Sequence, residues 1–198
     1  MIKIGITGGI GSGKSTICRV FETFGIRVFY ADTVAKSIMV DDPLLVAGIK
    51  DAFGQDSYAS DGRLNNQHIA SIVFNDEDEL KRLNELVHPA VFRAFDVWQA
   101  SVPAHVPYIL KEAALLFESG SYKMCDKSVL ITAPPMVKMQ RVMERDGVTQ
   151  QQVQARMDKQ MSDDEKIKMA DFLINNDESQ SVIQQVLKLH HQFLNLRK

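Results

Sequence analysis

Apolar residues recur along this chain in two alternating rhythms. Short runs rich in β-branched side chains, at Ile2 to Ile6, Ile26 to Tyr30, Val106 to Lys111, Lys127 to Ala133 and Phe172 to Asn175, predict five strands. Between them lie stretches with apolar positions three and four residues apart, which predict helices. The first of these, from Thr16 through Phe21, has its stop signal at Gly25. From Asp41 to Ala104 the rhythm stays helical and carries no strand signal. One helix there starts at Asp42-Pro43 and runs to about Phe53, and Asn65 is placed to cap another over Gln67 to Phe74. A longer helix follows Asn75, with Asp76-Glu77-Asp78-Glu79 in its first turn, where the macrodipole favours acids. Its expected buried stripe is Leu80, Leu83, Leu86, Val87, Phe95 and Trp98, and Pro89 predicts a kink or break at His88-Pro89. Met136 to Ala170 is helical again, around a turn at Asp146-Gly147-Val148-Thr149. Ser179 is placed to cap a closing helix whose core positions are Val182, Ile183, Val186, Leu187, His190, Phe193 and Leu194. Strands alternating with helices predict an α/β protein with a parallel, doubly wound sheet.

Composition narrows this picture without redirecting it. The 198 residues suffice for one sizeable domain with an insertion, or two small lobes. Hydrophobic residues make up 45% and charged residues 24%, an ordinary globular balance. With 23 basic and 25 acidic residues the formal charge is −2, which argues against a nucleic-acid partner held by broad phosphate attraction. Two cysteines, Cys18 and Cys125, cannot make a disulfide framework, and Cys18 reads as core packing. The apolar start breaks into glycines at Gly8, and no run approaches the roughly 18 apolar residues of a membrane span. The expectation is a cytoplasmic protein with no membrane partner. His190-His191 is not expected to hold a metal, because adjacent helix residues point about 100° apart.

The chemistry is concentrated where the first strand meets the first helix. Gly8 to Ser15 fits the phosphate-loop pattern G-x-x-x-x-G-K-[ST]. Gly8, Gly9, Gly11 and Gly13, with Ser12 between the last two, let successive backbone N–H groups point into one concavity. Lys14 is placed to neutralise the β/γ-phosphates, Ser15 to offer its hydroxyl to Mg²⁺, and Thr16 to continue the anion-binding helix start. Together they predict binding of a nucleoside triphosphate with Mg²⁺.

Other candidates are read from position. Asp32 stands at the end of the second strand, as an N-cap for the next helix or as an acid facing the crevice at the carboxyl ends of the strands. Glu112 ends the third strand, where an acid can help position Mg²⁺ through water or face a substrate. His88 reads as a satisfied structural histidine or a functional one, and Arg93 as a contact for an anion. Arg141 and Arg145 share a helix face, either as a solvated stripe or as part of a lid that stabilises charge on a transferring phosphoryl group.

Over nearly its whole length the chain resembles the dephospho-CoA kinase family. The resemblance is carried by Gly5 to Ser15, Ala31-Asp32, Gly62 with Leu64, Val73-Phe74, His88-Pro89, Leu115-Leu116-Phe117-Glu118, Arg141 with Arg145, Arg156 with Gln160, Ala170-Asp171 through Ile174, and Asn176. It implies an ATP-dependent kinase that phosphorylates the ribose 3′-hydroxyl of dephospho-CoA, on a fold like that of nucleoside-monophosphate kinases. By the same resemblance Asp32 is the general base, and Lys14 and Arg141 act on the phosphates. His88 and Arg93 belong to the substrate region, and Asn176 to the adenine-side turn. The implied architecture is a three-layer, five-stranded nucleotide-binding core over 1–32, 105–135 and 171–198, a helical substrate domain over 33–104 and a lid over 136–170. The chain departs from the family at Tyr30, where an Asp is usual and Asp32 is left as the available acid, at Asn65-Asn66, where Asp-Arg is usual, and at Lys36, which keeps the charge of the usual Arg but loses its bidentate fork. The alternative is another nucleoside-monophosphate or small-molecule kinase on the same scaffold. A GTPase-type switch is disfavoured because no Asn-Lys-x-Asp motif is present.

Overall fold

The computed structural model describes residues 1–74 and 76–196. Asn75, expected at the start of the long helix, lies outside the described residues. Chain contacts divide the molecule into two compact units, one of residues 1–30 with 102–198 and the other of residues 31–101.

The first unit is built on a parallel sheet of five strands: β1 (Ile2–Thr7), β2 (Arg27–Tyr30), β3 (Tyr108–Glu112), β4 (Lys127–Thr132) and β5 (Phe172–Asn175). Their order is β2-β3-β1-β4-β5, with every neighbouring pair parallel. β3 is buried at all five positions and β1 and β4 nearly so, as strands covered on both faces must be. One face of β1 points Ile4 and Ile6 into a core shared with Ile17, Cys18 and Phe21 of α1 (Lys14–Thr23) and Val186, Leu189 and Phe193 of α9 (Val182–Asn195). On the other face, a Cβ at Gly5 would lie 2.7 Å from Leu116, so the segment after β3 packs directly on the strand backbone. β1 is central, and the chain leaves β1 towards β2 but β3 towards β4. That reversal is the switch point at which α/β sheets open a ligand crevice.

The region expected as a lid over 136–170 belongs to this sheet unit. It contains α6 (Pro135–Asp146), α7 (Gln150–Met157) and α8 (Asp163–Met169). Gly147 closes α6 at φ 66°, and both later helices start on capping boxes, Thr149 with Gln152 and Ser162 with Glu165.

The second unit holds α2 (Ala31–Asp41), α3 (Pro43–Phe53), α4 (Asn66–Val73) and α5 (Glu77–Ser101). Asp42 and Asn65 cap α3 and α4 through their side chains as expected. The Asp76 carboxylate accepts from the amides of Asp78 and Glu79, which accounts for the acid run as a helix start.

Four expectations need correction. Of the kink or break expected at His88-Pro89, the break does not occur: α5 is continuous through Pro89, because Val87, Ala90, Val91 and Phe95 are buried on either side of it and its packing against α2, α3 and α4 outweighs the missing backbone bond. Leu80 is 40% exposed, so the buried stripe begins further along α5. In α9, Ile183 is 63% exposed and Leu187 and Leu194 also lie outside the core, while Leu189 lies inside, because a single sheet face admits only a narrow stripe. The cap of α9 is Ser181, whose hydroxyl accepts from Gln184, and not Ser179.

Candidate active site

The loop between β1 and α1 has the geometry of an anion cradle. Gly11 and Gly13 adopt φ of 79° and 93°, values that side chains other than glycine rarely take. A Cβ at Gly13 would lie 2.3 Å from Asn176 Nδ2, and one at Gly11 would lie 2.3 Å from the Lys138 carbonyl, so the loop is also closely packed from outside. α1 begins on Gly13 with no side-chain cap and no acid in its first turn. Its leading N–H groups therefore have no carboxylate competing for them, the arrangement an anion requires. Lys14 Nζ donates to the Gly8 carbonyl at 2.9 Å, which folds the cation back over the loop. The Ser12 hydroxyl is fully buried with no hydrogen-bond partner among the described residues, and Ser15 and Thr16 are exposed at the helix start.

Two expected residues join the loop from far along the chain. Asn176 follows β5, and its amide N–H donates to the Thr132 carbonyl at 2.8 Å. Its side-chain Nδ2 donates to the Ser12 carbonyl at 2.8 Å. Arg141 on α6 donates from Nη1 to the Asn176 carbonyl at 3.3 Å and pairs with Glu178 at 3.5 Å. Arg141, Asn176 and the loop thus form one connected group. Arg145 does not join it, since its guanidinium pairs with Asp146 at 2.7 Å, and Arg156 pairs with the same carboxylate at 3.0 Å.

Glu112 is buried at the end of β3, in register with Ile6 and with Tyr30. Its charge is felt nearby: burial, then Glu112 and Glu22, push the Cys18 thiol well above its usual value. Burial does the same to the Tyr30 phenol, with Cys18, Glu22 and Glu112 adding to it.

The remaining candidates belong to the helical unit. Asp32 is the second residue of α2, which follows β2 with no intervening loop, so the acid sits inside the first turn. His88 stacks on Phe92 within α5. Arg93 pairs with Asp42 at 3.0 Å and so ties α5 to the start of α3. Burial raises the Asp42 carboxyl, but the Leu45 amide, Arg93 and the Leu44 amide outweigh it and hold the group below its usual value.

A family model described as dephospho-CoA kinase matches residues 2–181. The chain belongs to the dephospho-CoA kinase family. A dephospho-CoA kinase of Salinibacter ruber is 41% identical over 178 residues, covering 89% of each chain. A solved Thermus thermophilus protein superposes with a TM-score of 0.85 at 33% identity over 96% of each chain. A dephospho-CoA kinase from Campylobacter jejuni does so with 0.70 at 27% identity, over 99% of this chain and 98% of its own. Dephospho-CoA kinases are ATP-dependent enzymes of coenzyme A synthesis, and the family implies ATP and dephospho-CoA as the two substrates of this chain.

Two residues against the phosphate loop had no role assigned from sequence. Lys138 pairs with Asp163 at 2.7 Å, and its Nζ lies 3.2 Å from where a Cβ of Gly9 would stand. Gln160 accepts a hydrogen bond from the Ile10 amide at 2.8 Å. Their separation from the loop, up to 150 residues, left no local signal. For Gln160 the one indication was its place, with Arg156, in the family pattern.

Proposed function

We propose that the chain transfers the γ-phosphoryl group of ATP to the ribose 3′-hydroxyl of dephospho-CoA, with the loop Gly8 to Thr16 holding the donor phosphates. The observation that carries this reading is the uncapped, acid-free start of α1 behind a glycine cradle that Asn176 reaches from the end of β5, with Arg141 of α6 on the Asn176 carbonyl. Lys14 turns from the Gly8 carbonyl to the β/γ-phosphates, and Arg141 neutralises charge as it develops on the transferring group. Asn176 holds the loop and borders the adenine side.

Asp32 accepts the proton of the acceptor hydroxyl as its oxygen bonds to the γ-phosphorus. The bond from that phosphorus to the β,γ-bridging oxygen breaks, and ADP leaves with the electron pair. Support for this role is connectivity: Asp32 lies two residues beyond Tyr30, whose strand partner is Glu112. His88 and Arg93 serve the acceptor, and Arg93 exchanges Asp42 for a substrate anion.

The donor set at the loop fits Mg²⁺. The Ser15 hydroxyl and the Glu112 carboxylate are hard oxygen groups, and among the described residues no cluster of three His, Cys, Asp or Glu competes as a metal cage. Mg²⁺ suits such a sparse set because it keeps waters and takes phosphate oxygens. When bound, it neutralises charge on the β- and γ-phosphates. No helix among the described residues is long and apolar enough to cross a membrane, and we place the enzyme in the cytoplasm.

An assay with ATP, Mg²⁺ and dephospho-CoA, read as ADP release, tests the assignment. Turnover of AMP or CMP with none of dephospho-CoA would overturn it in favour of a nucleoside-monophosphate kinase. Asp32→Asn is expected to lower kcat by roughly 10²–10⁴ while ATP binding persists, as the loss of a general base requires. Near-normal turnover would remove Asp32 from the mechanism.

A further inference from the structure

The tip of the phosphate loop is held from outside by residues 135–169, from α6, α7 and the turn between α7 and α8. The Gly9 carbonyl accepts from the Ser12 amide at 3.1 Å, which closes a four-residue turn over Gly9, Ile10, Gly11 and Ser12. Gly11, third in that turn, has φ 79°, the sign a type II turn needs there. In such a turn the amide of the second residue takes no part in the closing bond. Here that amide, Ile10 N–H, donates to Gln160 Oε1 at 2.8 Å.

The Ile10 side chain meanwhile packs against the cluster of Met139, Val142 and Val153, which belongs to α6 and α7. The Lys138 backbone blocks the Gly11 side, where a Cβ would reach its carbonyl at 2.3 Å. Three anchors therefore act on one turn. Of these three, Gln160 is the one that hydrogen-bonds to the turn's backbone, and so acts on how the peptide between Gly9 and Ile10 is oriented; at the far end of the turn the Ser12 carbonyl is held separately by Asn176 Nδ2.

We propose that Gln160 is a positioning residue for ATP: its side-chain oxygen fixes the Gly9–Ile10 peptide, and through it the direction of the amides that cradle the phosphates. Without that acceptor the turn samples other peptide orientations, and the cradle must be ordered by the nucleotide itself, which weakens binding. This inference rests on the reading of Gly8 to Ser15 as the phosphate cradle.

The test compares Gln160→Met, which keeps length and loses the acceptor, with Gln160→Glu, which keeps an acceptor oxygen. ATP affinity is measured by calorimetry, and both KM values and kcat by ADP release. Gln160→Met is expected to raise the Kd and KM for ATP by about 3- to 10-fold, the range one hydrogen bond spans, with kcat and the dephospho-CoA KM retained. Gln160→Glu is expected to restore most of the ATP affinity. A purely structural role would instead lower the melting temperature and move both KM values together, and that outcome overturns the proposal. So does an unchanged ATP Kd in Gln160→Met, or an equal loss in both variants. Lys14→Ala is the control for the underlying reading: if it leaves ATP binding intact, the cradle reading itself falls. If it abolishes binding while Gln160→Met does not alter it, only the role of Gln160 falls.

Discussion

Lys166 is fully buried, and its Nζ lies 2.8 Å from Glu118 Oε1, within ion-pair range but off hydrogen-bond geometry. Glu118 is also the acceptor for the Met161 amide at 3.1 Å, so one carboxylate joins the segment after β3 both to the residue before the Ser162 cap of α8 and to the helix interior. Removing it leaves an ammonium in a dry site. Glu118→Ala is therefore expected to destabilise by roughly 3–5 kcal/mol, measured by urea unfolding, and adding Lys166→Met should recover most of that loss. Sequence marks Glu118 only as part of the family pattern and does not mark Lys166, one cation in a stretch of mixed charge, so the pairing itself is not legible there. At the loop the reverse holds. Gly11 and Gly13 were legible because the backbone they permit is local, whereas what presses on them, Lys138 and Asn176, comes from elsewhere in the chain.

Elements differ in how well their patterns survive packing. α5 shows the limit of a local rule, since Pro89 costs a backbone bond but the helix is sandwiched by three others and continues. α9 shows how a sheet face selects from an amphipathic helix: Val186, Leu189 and Phe193 enter the core and Ile183 does not. His190 sits at the edge of that stripe, stacked on Phe24 at 4.8 Å and sharing a 2.7 Å hydrogen bond with Tyr108 Oη. Burial, then the charge of His191, lowers its pKa below the usual 6.5. The folded protein thus favours neutral His190, and the unfolded chain binds the proton more readily. Stability from this site is complete above about pH 6.5 and declines as pH falls below it. Urea midpoints at pH 7.5 and 5.5 should differ more for the wild type than for His190→Gln.

For the whole molecule, the sheet order β2-β3-β1-β4-β5 brings the ends of β1 and β3 together and sets Glu112 beside the strand that feeds the phosphate loop. On the proposed reading of Gly8 to Ser15 as the ATP cradle, the site exists only when the sheet unit is folded, so ATP is expected to bind the native state and stabilise it by mass action. At about 100 times its Kd, ATP should add about 2.7 kcal/mol to the unfolding free energy read by circular dichroism, and Lys14→Ala should abolish the increment. Sequence by itself determined the strands, most helices and caps, the phosphate loop and the family, because each is written in residues a few positions apart. Tertiary structure alone decided which apolar positions are buried, that α5 passes through Pro89, that Arg141 joins Asn176 while Arg145 does not, and that residues 135–169 grip the loop's tip. Those outcomes depend on contacts between residues tens to more than a hundred positions apart, whose geometry no local spacing encodes.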